Sequence, residues 1–300
     1  MLNLRSFFLA ALLAITAWSC TDTIDLDANF KTPELVVDAW LTQEPTTQTV
    51  LISLTQDYFN ATAQPAVTDA TVLLSNETQG KTMPFVHQGN GAYSWTPPAG
   101  ATIGGVGDQF VLTVTYKDRT YLAQSALNPV PPVDSIVYEV REAELTNPAG
   151  IYAQVYARDL VGTGNTYWIK TYKNGVFLNK PAEINLCADG VFSLDTGSDG
   201  IVFIPPIRET INRIPDPDTA DNSDVPPYAV GDSIRVEIHA ITNEAFRFLT
   251  IAQQQMTNSG LFALPVTNSP TNIVPLTAGV PAALGFFNVA AVSSKAVLVE

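Results

Sequence analysis

Cysteine, histidine and charged residues are all scarce in this sequence. Its 300 residues include two cysteines, Cys20 and Cys187, and two histidines, His87 and His239. Two thiols cannot build a disulfide framework, and no Cys/His pair has the spacing of a zinc site. Charged residues make up 15% of the chain, and acidic ones dominate to give a formal net charge of −14. Such a surface repels phosphate backbones, so we do not expect nucleic acid as a partner.

The residue constellations of common hydrolases are also missing. There is no Gly-x-Ser-x-Gly elbow, and His239 lies beside Glu237 on the polar face of a predicted strand, where we expect a surface residue. Asp195-Thr196-Gly197 resembles the catalytic turn of aspartic proteases, but that chemistry needs two carboxylates that share a proton. No second such turn occurs, so only a symmetric dimer would complete the site, and a β-turn is favoured. We therefore expect a protein that is not an enzyme.

The apolar run at the amino terminus is too short to span a membrane. Arg5 precedes an apolar stretch from Phe7 to Ala17, whereas a spanning helix needs roughly 20 residues. Small residues at Ala17 and Ser19 lie just before Cys20, which predicts a signal peptide over residues 1–19. A cysteine directly after the cleavage point resembles the lipobox of bacterial lipoproteins, and this resemblance implies acylation of Cys20. The alternative is a secreted protein whose first mature residue happens to be cysteine.

Attachment to the bilayer would rest on the acyl chains alone. Loss of Arg5 with the leader takes the formal net charge from −14 to −15, and no basic cluster follows Cys20. One acyl chain holds a protein only marginally, so stable anchoring needs two or more. The triacyl modification of this lipobox class would supply them. Residues 20–32 are then predicted to be the acylated cysteine and an acidic tether.

The remaining sequence has the composition and the periodicity of a mainly β protein. Threonine, valine, alanine, proline and glycine abound, as is typical of β-sandwiches. Residues 50–54 and 110–116 alternate cleanly between two faces, and Gly89-Asn90-Gly91 predicts a tight turn between strands. About seven short strands over residues 33–128 predict an immunoglobulin-like or fibronectin-like sandwich.

A proline-rich segment at 129–132 predicts a linker, because proline stiffens the chain and interrupts strand pairing. Residues 133–300 are predicted to form a second antiparallel β domain that carries one amphipathic helix at about 243–257. Thr242 or Asn243 is the expected cap of this helix, whose apolar stripe should pack on the sheet of the same domain. Ala283 to Val299 is apolar but interrupted by polar residues, which predicts two strands.

Loops that are rich in acidic or aromatic residues supply the candidate binding residues. One loop could gather oxygen ligands for a weakly bound calcium ion. Its spacing departs from that of an EF-hand, so a solvated loop is favoured and no cofactor is expected. The acidic residues are Asp216, Asp218, Asp221 and Asp224.

Aromatic side chains in loops or at strand ends are the other candidates, because such residues stack on ligands. Tyr58, Phe59 and Tyr228 lie in predicted loops. Trp168 and Tyr172 share one face of a predicted strand. Each of these residues is still more often part of a core than of a binding site.

Several short motifs occur in a characteristic order along nearly the whole chain after the leader. They are Cys20-Thr21-Asp22, Leu35 to Leu41, Tyr58-Phe59, Pro131 to Ile136, the helix Ala245 to Gln255, and Gly285-Phe286-Phe287. In this order they resemble a Bacteroidota lipoprotein family, the domain of unknown function numbered four-two-four-nine. Members of the family are typically encoded beside TonB-dependent receptors, which implies an accessory role in nutrient capture. The family has no established catalytic residues, so the resemblance assigns none to this sequence.

The sequence therefore predicts a non-catalytic lipoprotein of the outer membrane. We expect its acylated Cys20 to hold it in the bilayer, at the cell surface or on the periplasmic leaflet. Its expected role is to bind a ligand or to act as a scaffold beside a TonB-dependent receptor in nutrient uptake. The alternative is a surface adhesin or structural lipoprotein that is independent of a transporter.

Overall fold

Strands dominate the part of the chain that the structure describes. A computed structural model describes residues 32–57, 62–144, 147–194, 198–212, 225–258 and 269–300. Over these ranges the chain forms fifteen strands, two α-helices and two short 3₁₀ turns. The predicted mainly β fold with a helix in its C-terminal half is thereby confirmed.

The first seven strands alternate between buried and exposed side chains. On the second of them Val50 and Ile52 are buried while Leu51 faces solvent, as the two-residue period of a strand requires. The strands are β1 Leu35–Thr42, β2 Gln48–Leu54, β3 Thr71–Asn76, β4 Lys81–Gly89, β5 Ala92–Trp95, β6 Gln109–Tyr116 and β7 Arg119–Ala126. They pair in the orders β1-β2-β5-β4 and β4-β3-β6-β7, so β4 joins the two sets. Buried residues from both sets belong to one hydrophobic core.

Eight further strands follow in the second half of the chain. They are β8 Val133–Arg141, β9 Gly150–Ala157, β10 Thr166–Lys173, β11 Val176–Phe177, β12 Asn185–Ala188, β13 Ser233–Ile241, β14 Val274–Pro275 and β15 Leu284–Leu298. β10 pairs with β13 on one side and with β11 and β12 on the other. β8 and β9 form a separate hairpin, and the short β14 pairs with β7.

β15 is one continuous strand, so the prediction of two strands between Ala283 and Val299 is wrong. Its first part runs parallel to β1 as far as the Thr42–Ala290 pair. Its second part runs antiparallel to β13 from the Ala240–Ala291 pair onward. The polar Asn288 does not end the strand, because it is buried and its Oδ1 accepts a hydrogen bond from the backbone N–H of Thr242 at 3.0 Å.

A glycine allows β1 and β15 to approach each other closely at Gly285. Its φ of +91° is one that side-chain-bearing residues rarely adopt. A Cβ atom at this position would lie 2.0 Å from the carbonyl oxygen of Val37 on β1. The joint between the two strands therefore depends on the absence of a side chain.

The main helix packs on the sheet as predicted. The helices are α1 Pro205–Arg208 and α2 Asn243–Met256. Thr242 caps α2, because its Oγ1 accepts a hydrogen bond from the backbone N–H of Ala245 at 3.2 Å. Ala245, Phe246 and Leu249 are buried in a cluster with residues of β12, β13 and β15. No helix in the described ranges combines the length and the hydropathy that a membrane span requires.

Strand pairing continues across the linker predicted at 129–132. Contacts between Cα atoms group Glu34–Thr55 with Ala63–Glu300 as one compact unit. Within this unit β1 and β15, which lie on opposite sides of the predicted linker, are neighbouring strands. The division of the chain into two domains at this linker stays a prediction, but the two halves share backbone hydrogen bonds.

Candidate ligand-binding sites

Most of the predicted site residues lie outside the described residues. They are Cys20, Tyr58, Phe59, Asp195, Asp216, Asp218, Asp221 and Asp224. Within the described ranges, no three His, Cys, Asp or Glu side chains are grouped closely enough to hold a metal ion. The acidic loop lies outside these ranges, so the expectation of a solvated loop, with a weak calcium site as its alternative, stays a prediction.

Tyr228 lies in the core and not at a ligand-accessible surface. Its side chain is 1% exposed, and its hydroxyl donates a hydrogen bond to the carbonyl oxygen of Ile211. The ammonium group of Lys173 lies 5.6 Å from the centre of the ring. Burial raises the pKa of the Tyr228 hydroxyl. This tyrosine therefore supports the wall of a neighbouring cavity and does not itself present a ring to a ligand.

That cavity, here called the hairpin cavity, has a volume of about 380 Å³. It lies where the β8–β9 hairpin meets the 3₁₀ turn Glu209–Ile211. Arg141, Tyr152, Asn185, Glu209, Asn212 and Val225 are among its lining residues. Asn212 and Val225 flank the stretch 213–224 that carries the predicted acidic residues.

Ion pairs fix Arg141, the one cation among the described residues that line the hairpin cavity. Arg141 donates from Nη2 to Glu209 Oε1 and from Nε to Glu139 Oε1, each at 2.8 Å. Its guanidinium also lies 5.3 Å from the centre of the Tyr152 ring. The hydrogen bonds to Glu209 and Glu139 raise the pKa of Arg141. The guanidinium therefore keeps its charge and its direction.

Asparagine side chains hold the rest of the wall in place. Asn212 extends the edge of β9, since its Oδ1 accepts from the backbone N–H of Ala153 at 2.8 Å and its Nδ2 donates to the carbonyl oxygen of Ala153 at 3.0 Å. Asn185 Nδ2 donates to the carbonyl oxygen of Thr210 at 2.7 Å. Because these side chains are bonded to backbone, they hold the wall of the cavity in a fixed position.

The prediction that His239 lies at the surface is wrong. The residue is 5% exposed, and its Nε2 lies 3.0 Å from Oε2 of Glu237, which is 7% exposed. Burial, followed by the charges of Lys170 and Arg235, lowers the pKa of His239 well below its usual value. The alternation of residues on β13 correctly places His239 on the same side as Arg235 and Glu237. Other side chains cover that side of the sheet, so His239 is buried there.

The covering arises from aromatic rings and the helix α2, which pack on the outer face of the sheet. The rings of Trp40 on β1 and Trp168 on β10 are 5.3 Å apart between centroids, although β15 and β13 separate the two strands in the sheet. We call this group of rings the aromatic crevice and define it by Trp40, Trp168, Phe177, Phe248 and Phe286.

A lysine and a carboxylate lie within the aromatic crevice. Lys170 Nζ is 4.0 Å from the centre of the Trp168 ring and 5.8 Å from that of Phe177. Burial lowers the pKa of Lys170 to about 8, although the charge of Asp38 acts in the opposite direction. The Asp38 side chain is exposed, but the protein around its carboxyl group raises the pKa of Asp38. A hydrogen bond with the Trp40 side chain lowers this pKa and offsets part of the rise.

Comparison with known proteins identifies a family but no function. The model of one protein family, a domain of unknown function (DUF4249), matches residues 21–296. A search of the curated proteins found no match. The roles of the hairpin cavity and the aromatic crevice must therefore be argued from their geometry.

Proposed function

The chain belongs to the DUF4249 family, and from this premise we propose that it is a non-catalytic, lipid-anchored binding subunit of the outer membrane. The matched region begins at residue 21, directly after Cys20. Acylation of the Cys20 thiol would hold a domain in this position next to the bilayer. The domain would then capture its ligand close to the membrane.

The hairpin cavity is the observation that carries the binding role. Its volume of about 380 Å³ falls in the range of small-molecule sites. The Arg141–Glu209 pair and the Asn212 side chain hold its wall in a fixed arrangement, so little ordering is needed when a ligand binds. Hydrogen-bonding side chains around the cavity favour a small polar ligand.

The reactive groups of the described residues support a role without catalysis. The thiol of Cys187 is buried, and burial raises its pKa, which disfavours the nucleophilic thiolate. The hydroxyl of Tyr167 is buried and donates to Asp159 Oδ1 at 2.7 Å. His239 is enclosed beside Glu237. None of these three groups lines the hairpin cavity.

The anchor is tested by metabolic labelling with a fatty-acid probe. We expect the full-length protein to be labelled and to sediment with envelopes, and Cys20→Ser to lose both properties. Cys187→Ser is the matched control, because it removes the only other thiol and should keep the label. An unlabelled protein, or a Cys20→Ser variant that still sediments with envelopes, would contradict lipid anchoring.

The partner that we propose is a TonB-dependent receptor, which the protein would assist in nutrient uptake. Outer membranes are solubilised in mild detergent, and the tagged protein is purified and its companions identified by mass spectrometry. Recovery of such a receptor in stoichiometric amount is the expected result. Recovery of the protein alone would favour the adhesin or structural role.

The hairpin cavity is tested by filling it. Ala182 is exposed and lines the cavity, so Ala182→Trp should occlude it while leaving the core intact. A panel of polar small molecules is screened by thermal shift, and hits should raise the melting temperature of the wild type but not of this variant. Ala99→Trp, at an exposed position outside the cavity lining, is the control. Hits that stabilise all three proteins equally would contradict binding in the cavity.

A further inference from the structure

We propose that the aromatic crevice is a second binding site, which takes a small ligand with one carboxylate on a flat apolar body and holds the carboxylate at Lys170. The site is separate from the hairpin cavity, whose lining includes none of the crevice residues. The proposal does not depend on lipid anchoring or on a receptor partner.

The position of Lys170 in the middle of β10 places its ammonium among aromatic rings. Trp168, Lys170 and Tyr172 alternate with the buried residues of the strand and share its outer face. The Trp40 ring meets the Trp168 ring edge to face with centroids 5.3 Å apart, and Phe286 stacks on Trp40 with centroids 5.9 Å apart. A ligand beside Lys170 therefore meets apolar ring surface, which favours a flat apolar body.

Lys170 is the one cation of this face that has no carboxylate partner in the described part of the chain. Arg235 pairs with Glu237, which also accepts a hydrogen bond from the Tyr172 hydroxyl at 3.2 Å. Among the residues that the structure describes, no carboxylate oxygen lies within 4.0 Å of Lys170 Nζ, and Asp38 influences it only at longer range. The indole N–H of the neighbouring Trp168 is buried and also has no acceptor within these ranges. An anionic ligand supplies the oxygen that this region lacks.

The charge of the ligand follows from the neighbours of Lys170. A half-buried ammonium without a counter-ion is unfavourable, and the depressed pKa of Lys170 reflects that cost. A single carboxylate would compensate it. A second negative charge, as on a phosphate monoester, would meet Asp38, which lies on the β1 side of the crevice. The crevice therefore favours a monoanion over a dianion.

Isothermal titration calorimetry at pH 7 measures the binding of four probes. Together they separate the need for a negative charge, for an aromatic ring and for a single charge. Phenylacetate has the ring and the carboxylate, phenylacetamide lacks the charge, acetate lacks the ring, and phenyl phosphate carries the larger charge. We expect phenylacetate to bind the wild type about tenfold or more tightly than each of the other three. Equal binding of phenylacetamide would overturn the role of the ammonium, and absence of phenylacetate binding would overturn the proposal.

Variants locate the bound probe. Lys170→Met should weaken phenylacetate binding about tenfold or more, because the side chain keeps its length and loses its charge. The matched control is Lys117→Met, since Lys117 also lies over an aromatic ring, 4.9 Å from the centre of Tyr116, but is exposed. Unchanged affinity in Lys170→Met would overturn the proposal. So would a loss of binding in Ala182→Trp, because the carboxylate would then lie in the hairpin cavity.

Discussion

The two faces of β10 and β13 are made by the same strands but differ in charge. The inner face is packed against β9, α1 and the 3₁₀ turn Glu209–Ile211. Its one charged residue on β10 and β13 is Lys173 at the end of β10, which is paired with Asp232. Its residues on the two strands include Tyr167, Ile169, Ile234, Val236, Ile238 and Ala240. The outer face carries Lys170, Arg235, Glu237 and His239, and it is roofed by aromatic rings and α2.

The difference shows which face stabilises the fold and which face holds the candidate binding group, Lys170. Burial of an aliphatic side chain on the inner face contributes roughly 1.5 to 3 kcal/mol. Burial of charges on the outer face opposes folding unless each charge finds a partner. Arg235 and Glu237 satisfy that condition within the protein, whereas Lys170 does not. A region that keeps an unmatched cation is a better candidate for a binding surface than for a structural core.

The largest expected effect comes from disrupting the joint between β1 and β15, the strands that carry Trp40 and Phe286 on the outer face. Gly285→Ala would place a Cβ 2.0 Å from the carbonyl oxygen of Val37 in a positive-φ conformation. Because the clash is with backbone, β1 and β15 must separate, and we expect the free energy of unfolding to fall by about 4 kcal/mol or more. Urea unfolding followed by circular dichroism measures the loss.

Gly80→Ala is the control for Gly285→Ala. Gly80 also has a positive φ, +64°, but a Cβ atom at this position would meet no heavy atom within 4 Å. Strain alone should then cost about 1 to 2 kcal/mol. Equal losses in the two variants would show that the close approach of β1 and β15 is not required.

The next largest effect is expected on the inner face. Ile238 is fully buried on β13, so Ile238→Ala should lower the free energy of unfolding by about 2 to 5 kcal/mol through lost contacts and a cavity. Val86→Ala, at a side chain that is 62% exposed, should change it by less than about 0.5 kcal/mol. A small loss in Ile238→Ala would contradict the assignment of the inner face as the stabilising one.

Much of the fold could be predicted because it follows from local pattern. Residues 50–54 and 233–241 alternate with the period of a strand, and Thr242 together with the apolar stripe marks the helix. Continuous pairing through β15 could not be predicted in this way. Asn288 looks like an interruption in the sequence, and its hydrogen bond to Thr242 exists only in the folded chain.

The sites are harder to predict because they depend on contacts between side chains of distant strands and the helix. Alternation places Trp40 and Asp38 on the outer side of β1 and Lys170 between Trp168 and Tyr172 on β10. The one sequence feature that points to the aromatic crevice is a tryptophan on the outer side of each of two strands, Trp40 on β1 and Trp168 on β10. Nothing in the sequence indicates that these side chains meet. The packing of aromatic rings and α2 on this face explains why the pattern predicts His239 at the surface although the residue is buried.

A moderate effect is expected from pH, because the outer face encloses a neutral histidine. In the unfolded chain His239 takes up a proton near pH 6.5, whereas burial and the charges of Lys170 and Arg235 depress its pKa in the folded protein. The unfolded state then binds more protons below pH 6.5, so stability falls as the pH drops. Between pH 7 and pH 5 we expect a loss of about 2 kcal/mol. His239→Gln should show a smaller loss over this interval, and an identical pH profile would contradict the enclosure of a neutral ring.

The smallest expected effect is also the one that separates a binding group from a structural one. Lys170→Met replaces an unmatched, half-buried ammonium by an apolar chain of similar length, so the free energy of unfolding should stay unchanged or rise by up to about 1 kcal/mol. Lys173, on the same strand, lies 2.9 Å from Asp232 Oδ2 and donates to the carbonyl oxygen of Pro227 at 2.8 Å. Lys173→Met should therefore lose about 1 to 3 kcal/mol. If Lys170→Met is destabilised as much as Lys173→Met in urea unfolding at pH 7, Lys170 is a structural residue. If it is not, the sequence keeps at this position a charge that the fold alone does not need.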